Sequence, residues 1–206
     1  MKNILIISLL LFSGCGVLKE NYPLHDIVLE NPISPHVLVY FTDDTAYRNL
    51  SSGFFITHNN RNFLAASYHA YEISNGFYVK TPDKKKINFD VKNVYEFENF
   101  DMVLFEVVNV DVPVFYLILS QENVRIDGEY TTVGFDYDNN FMSYQRGKAN
   151  LITFNTTVTI KGGMSGGATL DSRGNVIGIN QAFMSGGKRD GDSIIVPIRE
   201  AFSKIK

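Results

Sequence analysis

The 206-residue chain holds a single cysteine, Cys15. One thiol makes an internal disulfide impossible and cannot build a thiolate cage. The four histidines and the acidic residues show no ligand-like spacing, so neither a metal nor another cofactor is expected. Positive charge is also scarce: 19 Lys plus Arg stand against 22 Asp plus Glu, for a formal net charge of −3. The one basic cluster, Lys84-Lys85-Lys86, follows the turn-like Thr81-Pro82-Asp83 and reads as a solvated hairpin tip. Nothing calls for nucleic acid as a partner. Long apolar runs are missing too. The run from Ile4 to Phe12 is too short to cross a bilayer as a helix. There is no internal repeat and no low-complexity segment.

What is present at the N-terminus is a leader. Met1-Lys2, the apolar run and the small residues before Cys15 together suit a secretory signal, so export is expected. Leu11-Phe12-Ser13-Gly14-Cys15 resembles the bacterial lipoprotein cleavage box, although Phe12 stands where Leu is usual. The resemblance implies a diacylglyceryl thioether on Cys15 plus an N-terminal acyl group, and multiple chains give stable anchoring. Residues 1–15 are then the signal peptide and 16–30 a tether. Gly16, in place of Asp, favours the outer membrane in a two-membrane cell, with the protein facing the periplasm within the cell envelope.

From about Pro35 the chain breaks into short runs rich in Val, Ile, Phe, Tyr and Thr, divided by Gly, Asn, Asp and Pro, the pattern of an all-β sandwich or barrel. Ser52–Thr57 and Phe63–Ser67 read as strands joined by a four-residue turn, His58–Arg61. Further strands are expected at Phe77–Thr81, Ile87–Phe97, Met102–Val108, Tyr130–Phe135, Met142–Thr153, Ala168–Asp171, Val176–Gln181 and Ser193–Val196. Only Pro197–Ile205 looks helical, with proline at its start. A boundary near Leu119–Asn123 divides the chain into units 31–118 and 119–206.

The most specific chemical signal is Gly162-Gly163-Met164-Ser165-Gly166-Gly167 between two β-type runs. A nucleophilic serine needs a sharp turn that presents its hydroxyl and N–H groups aimed at the developing oxyanion. Glycines permit the turn, and the N–H groups of Gly163 and Ser165 are the candidate donors. Serine also needs a base. His25 and His36 lie in or near the tether and His58 opens a polar turn, whereas His69 follows the apolar strand Phe63–Ser67. The base in turn needs a carboxylate to orient it. Asp101 stands directly before Met102-Val103-Leu104-Phe105, a run too apolar for a surface edge; Asp90 is the alternative.

The order His, Asp, Ser with these flanks resembles the trypsin-like serine proteases. Phe63-Leu64-Ala65-Ala66-Ser67-Tyr68-His69 is similar to their strand ending in the catalytic histidine, and Asn99–Phe105 to their aspartate strand. Ser51–Ile56 is similar to an early strand of the bacterial branch. Gly178–Ala182 and Ile194–Ile198 resemble the periplasmic high-temperature-requirement proteases. The resemblance implies two six-stranded antiparallel β-barrels, the first carrying His69 and Asp101 and the second Ser165, with a short C-terminal helix. It implies a serine endopeptidase acting on protein or peptide substrates. It also puts Thr159 at the base of the primary specificity pocket and Asn180, Gln181 and Ala182 on its wall. With no carboxylate at Thr159, small or apolar residues are expected before the cleaved bond. Three positions depart from the family pattern: Tyr68 replaces a small residue and is expected to crowd the base, Met164 replaces Asp or Asn and loses polar contacts, and Ala168 replaces proline. A protease-fold lipoprotein that binds a peptide or envelope partner without turnover is the alternative, against which the intact triad argues.

Overall fold

Thirteen strands and two short helices make up the described residues of the computed structural model, which are 34–43, 48–121, 128–149, 156–182 and 193–205. Cys15, the leader and the 16–30 tether lie outside them. In chain order the elements are β1 (His36–Thr42), β2 (Arg48–His58), β3 (Arg61–Ser67), α1 (Tyr68–Tyr71), β4 (Gly76–Lys80), β5 (Lys86–Ile87), β6 (Asp90–Phe97), β7 (Met102–Val108), β8 (Leu117–Ile118), β9 (Gly128–Asp136), β10 (Phe141–Ala149), β11 (Ala168–Leu170), β12 (Val176–Ala182), β13 (Ser193–Pro197) and α2 (Arg199–Ser203). No described helix is long and apolar enough to cross a membrane.

Two sheets form, and the chain does not shuttle between them. The first runs β5-β4-β1-β2-β3-β7-β6 with β8 added parallel to β2, and the second runs β10-β9-β11-β12-β13. Every other strand pair is antiparallel. This is the all-β two-barrel architecture with a short C-terminal helix. The two-residue strands β5 and β8 raise the first sheet above six strands, and five described strands make the second.

Local chemistry sets the element ends. Asn59 and Asn60 both adopt left-handed φ (50° and 59°), so β2 and β3 close through a two-residue turn, with His58 and Arg61 already paired. Asparagine tolerates that conformation better than most residues, and two such residues match the twist of a hairpin. The expected strand over Ile87–Phe97 is interrupted because the Asp111 carboxylate accepts from the Asn88 backbone N–H at 2.9 Å and from its side-chain amide at 2.7 Å. α2 begins at Arg199 because Pro197 is held in the sheet opposite Gly178.

β3 and β7 are buried on both faces, which explains their unbroken apolar runs. Phe63, Ala65, Met102 and Leu104 join Phe54 and Ile56 in a core shared with Ala168, Val176, Ile179, Val196 and Phe202 of the second half. Leu64, Ala66, Val103 and Phe105 face the other way, into the first barrel with Val37, Val39, Phe41 and Phe55. The ends of these two strands are therefore held from both sides.

Candidate active site

β3 and β7 end side by side, with Ser67 opposite Met102. The chain leaves β3 into the single turn α1, whose second residue is His69, and enters β7 directly from Asp101. Asp101 takes a left-handed φ of 46° at the end of the 3-10 turn Glu98–Phe100. That conformation turns its carboxylate back onto α1. Oδ2 lies 2.7 Å from His69 Nδ1 and Oδ1 accepts the His69 backbone N–H at 2.7 Å. A carboxylate on Nδ1 favours the tautomer with its proton there, which leaves Nε2 as the basic nitrogen. The side chains are 51% and 22% exposed, so the pair opens to solvent more than the burial expected for Asp101. The alternative carboxylate, Asp90, sits opposite Val108 at the far end of β7, where it accepts from Asn109.

The backbone carbonyl of Asp101 is held as firmly as its carboxylate. It accepts from the Tyr68 N–H at 3.1 Å and from Gln181 Nε2 at 2.6 Å. Gln181 thus reaches from the second barrel to the first and touches the carboxylate-bearing residue.

The Ser165 loop is clamped onto β2. Its carbonyl accepts from the Ser52 N–H and from Ser51 Oγ, both at 2.9 Å. Ser51 Oγ also shares a hydrogen with Ser67 Oγ at 2.8 Å, two residues before His69. Ser52 Oγ donates to the Gly163 carbonyl at 2.6 Å and accepts from the Phe135 N–H at 2.7 Å. Ser51, Ser52, Ser67 and Ser165 are all buried. The sequence shows Ser51-Ser52 only as part of a strand; small hydroxyl residues just before its apolar stretch Phe54–Ile56 were the available signal.

Gly163 has φ +87°, and a Cβ there would stand 2.8 Å from the Phe135 carbonyl oxygen. The Gly162 carbonyl accepts from the Tyr137 N–H at 3.1 Å. Because the peptide is planar and trans, the Gly163 N–H points the opposite way, out of that contact. Lys161, just before, is pinned by a 2.8 Å ion pair to buried Asp136. Burial raises the Asp136 carboxyl, but hydrogen bonds from Lys161 and Asn139 outweigh it and hold the group below its ordinary value.

The remaining expected residues fall in different places. Asn180 is fully buried behind the loop: its backbone exchanges hydrogen bonds with Gly166 and Gly167, and its side chain bonds Val133 and Thr169. Ala182 ends β12, and Thr159 is exposed between buried Val158 and Ile160. Tyr68 turns into the cluster of the first barrel beside Tyr71. Met164 makes no claim on the cleft either. It is fully buried with Tyr130, Ile160 and Ile195, which is why an apolar residue suits the position. Of the other histidines, His36 is not in a tether but starts β1 and is buried, His58 packs on Phe202, and His25 lies outside the described residues.

A family model described as the trypsin-like peptidase domain matches residues 51–179. Among solved structures, the serine endoprotease from Yersinia pestis is similar with a TM-score of 0.64 and 18% identity, covering 82% of this chain and 61% of that one. The HtrA-type protease AlgW, solved with a tripeptide, is similar with a TM-score of 0.60 and 18% identity, covering 82% of this chain and 58% of that one. The chain thus spans less than two thirds of either neighbour. No curated protein sequence matches it.

Proposed function

The chain belongs to the trypsin-like peptidase domain family, which supports a serine protease hydrolase with protein or peptide as substrate, and on that premise we propose an endopeptidase working through His69, Asp101 and Ser165. The observation that carries the reading is the double hydrogen bond from His69 to the Asp101 carboxylate, placed where Ser67 and Ser51 tie the base strand to the Ser165 loop.

Ser165 Oγ attacks the scissile carbonyl while His69 Nε2 takes its proton. Asp101 orients the imidazole and stabilises the imidazolium. The N–H groups of Gly163 and Ser165 receive the negative charge that develops on the carbonyl oxygen. Collapse of this intermediate expels the amine, protonated by His69, and leaves an acyl group on Ser165; water attacks in the second half by the same base. The acyl part of the substrate lies along β12. β11 pairs with β12 only as far as Ala168 opposite Ile179 and Gln181 is itself buried, so in this reading the extended peptide lies at the Ala182 end of the strand. Thr159 carries no charge to pair with Lys or Arg, which supports a preference for small or apolar residues before the cleaved bond.

The test is labelling by a fluorophosphonate probe. Wild-type protein is expected to be modified at Ser165 and Ser165→Ala to be inert; an unlabelled wild type overturns the reading. We also propose export and anchoring through Cys15, resting on the leader alone. Radiolabelled palmitate should enter the wild type and not Cys15→Ser, and equal incorporation would dismiss the anchor.

A further inference from the structure

The Ser165 loop has two flanks. On one, Gly166 and Gly167 are bonded to Asn180 of β12, the side along which the acyl part of a substrate runs in the reading above. On the other stands the turn after β9. Tyr137 gives its N–H to the Gly162 carbonyl, and its Cβ is 3.2 Å from where a Gly163 side chain would begin. The residue is nevertheless 63% exposed, the largest exposure, with Ile73, among the big apolar residues described. It is thus fixed at its base by the backbone beside Gly163 while most of its surface stands in solvent. In the same turn Asn140 accepts from Lys84 of the β4–β5 turn at 3.5 Å, so the turn that carries Tyr137 also touches the first barrel.

An extended peptide that crosses the Gly163 and Ser165 donors from the β12 flank must leave along the opposite flank. We propose that Tyr137 walls the subsite for the first two residues after the scissile bond and selects a large apolar or aromatic side chain there. This rests on the endopeptidase reading and deepens it. One of two consecutive side chains in an extended strand faces the ring, because successive side chains point to opposite sides. The phenol edge leaves room for a ring or branched chain to lie against its face.

The experiment uses internally quenched peptides that vary only at the two positions following the cleaved bond, with wild type, Tyr137→Ala and Tyr137→Phe. Each rate is divided by the same enzyme's rate on a small acyl ester that carries nothing beyond the scissile bond, so a general loss of geometry cancels. Wild type is expected to favour Phe or Leu over Gly by about tenfold at one of the two positions. Tyr137→Ala should lose that preference and Tyr137→Phe keep it. An unchanged preference in Tyr137→Ala, with peptides still cut, overturns the inference and leaves the endopeptidase standing. Absence of both peptide cleavage and fluorophosphonate labelling overturns the endopeptidase, and the inference with it.

Discussion

Gly166 is under both a conformational and a steric demand at the proposed site. Its φ is +83°, and an added Cβ would fall 2.3 Å from the Ser52 carbonyl oxygen, 2.6 Å from Ser51 Oγ and 2.8 Å from the Ser67 nitrogen. Two of those atoms are backbone and the third is locked by its own hydrogen bonds, so none can swing aside. Gly174 has nearly the same φ, +80°, with nothing within 4 Å. The two positions therefore separate conformation from contact. Gly174→Ala should cost only the left-handed backbone strain, about 1–2 kcal/mol, and keep fluorophosphonate labelling. Gly166→Ala should cost more, by at least about 2 kcal/mol of overpacking. Displacing the nucleophile by about 1 Å should also slow labelling about a hundredfold. Thermal melts and labelling rates measure both, and equal behaviour of the two variants would refute the clamp. The glycines around Ser165 were legible in the sequence because a strained turn needs them wherever it sits. Their neighbours were not, since Ser51 and Ser52 lie more than a hundred positions earlier and only the packed barrels bring them to the loop.

At the scale of elements, what was legible followed from burial on two faces. The runs Phe63–Ala66 and Met102–Phe105 are apolar at consecutive positions, and the structure puts one face of each in the first barrel and the other between the barrels. Such strands end in fixed places, which is why the histidine and aspartate beyond them could be singled out. β1 went unread for the same physical reason. Val37, Leu38 and Val39 are all fully buried, and without alternation a short apolar run carries no signature of its period. The turn at Asn59-Asn60 was legible from its residue types, whereas the break at Asn88 depends on individual hydrogen bonds to Asp111, which neither composition nor periodicity encodes. Gln181 is the clearest case at the site. As part of a wall strand it was expected to meet substrate, and its amide instead meets the Asp101 carbonyl, an arrangement fixed only when β12 and the start of β7 come together.

At the scale of the whole molecule, one histidine in the contact between the two halves predicts a loss of stability in acid. His36 opens β1 of the first sheet, opposite Phe54, and its ring meets the ring of Tyr144 on β10 of the second sheet edge-on at 6.0 Å. Its Nδ1 is buried with no hydrogen-bond partner among the described residues. Burial pulls its pKa down from 6.5 to about 4. For a base whose folded value is depressed, protonation favours the unfolded chain. Its contribution is therefore fully present above pH 6.5 and is lost as the pH falls from there towards 4. A difference of that size corresponds to about 3 kcal/mol. Two other strongly shifted groups act in separate windows: burial pushes Tyr144 up to about 12, far into the alkaline range. Glu106, held at about 2 chiefly by its hydrogen bond from Arg61, loses its contribution only below its ordinary value of 4.5. Below pH 6.5 His36 acts together with His58, whose value burial and the charge of Arg61 also lower, and His36 is the more deeply buried of the two. His36→Phe keeps an aromatic ring against Tyr144 and removes the proton. Urea midpoints at pH 7 and pH 4.5 should fall steeply for the wild type and much less for the variant, and parallel losses in the two proteins would show that the acid sensitivity arises elsewhere.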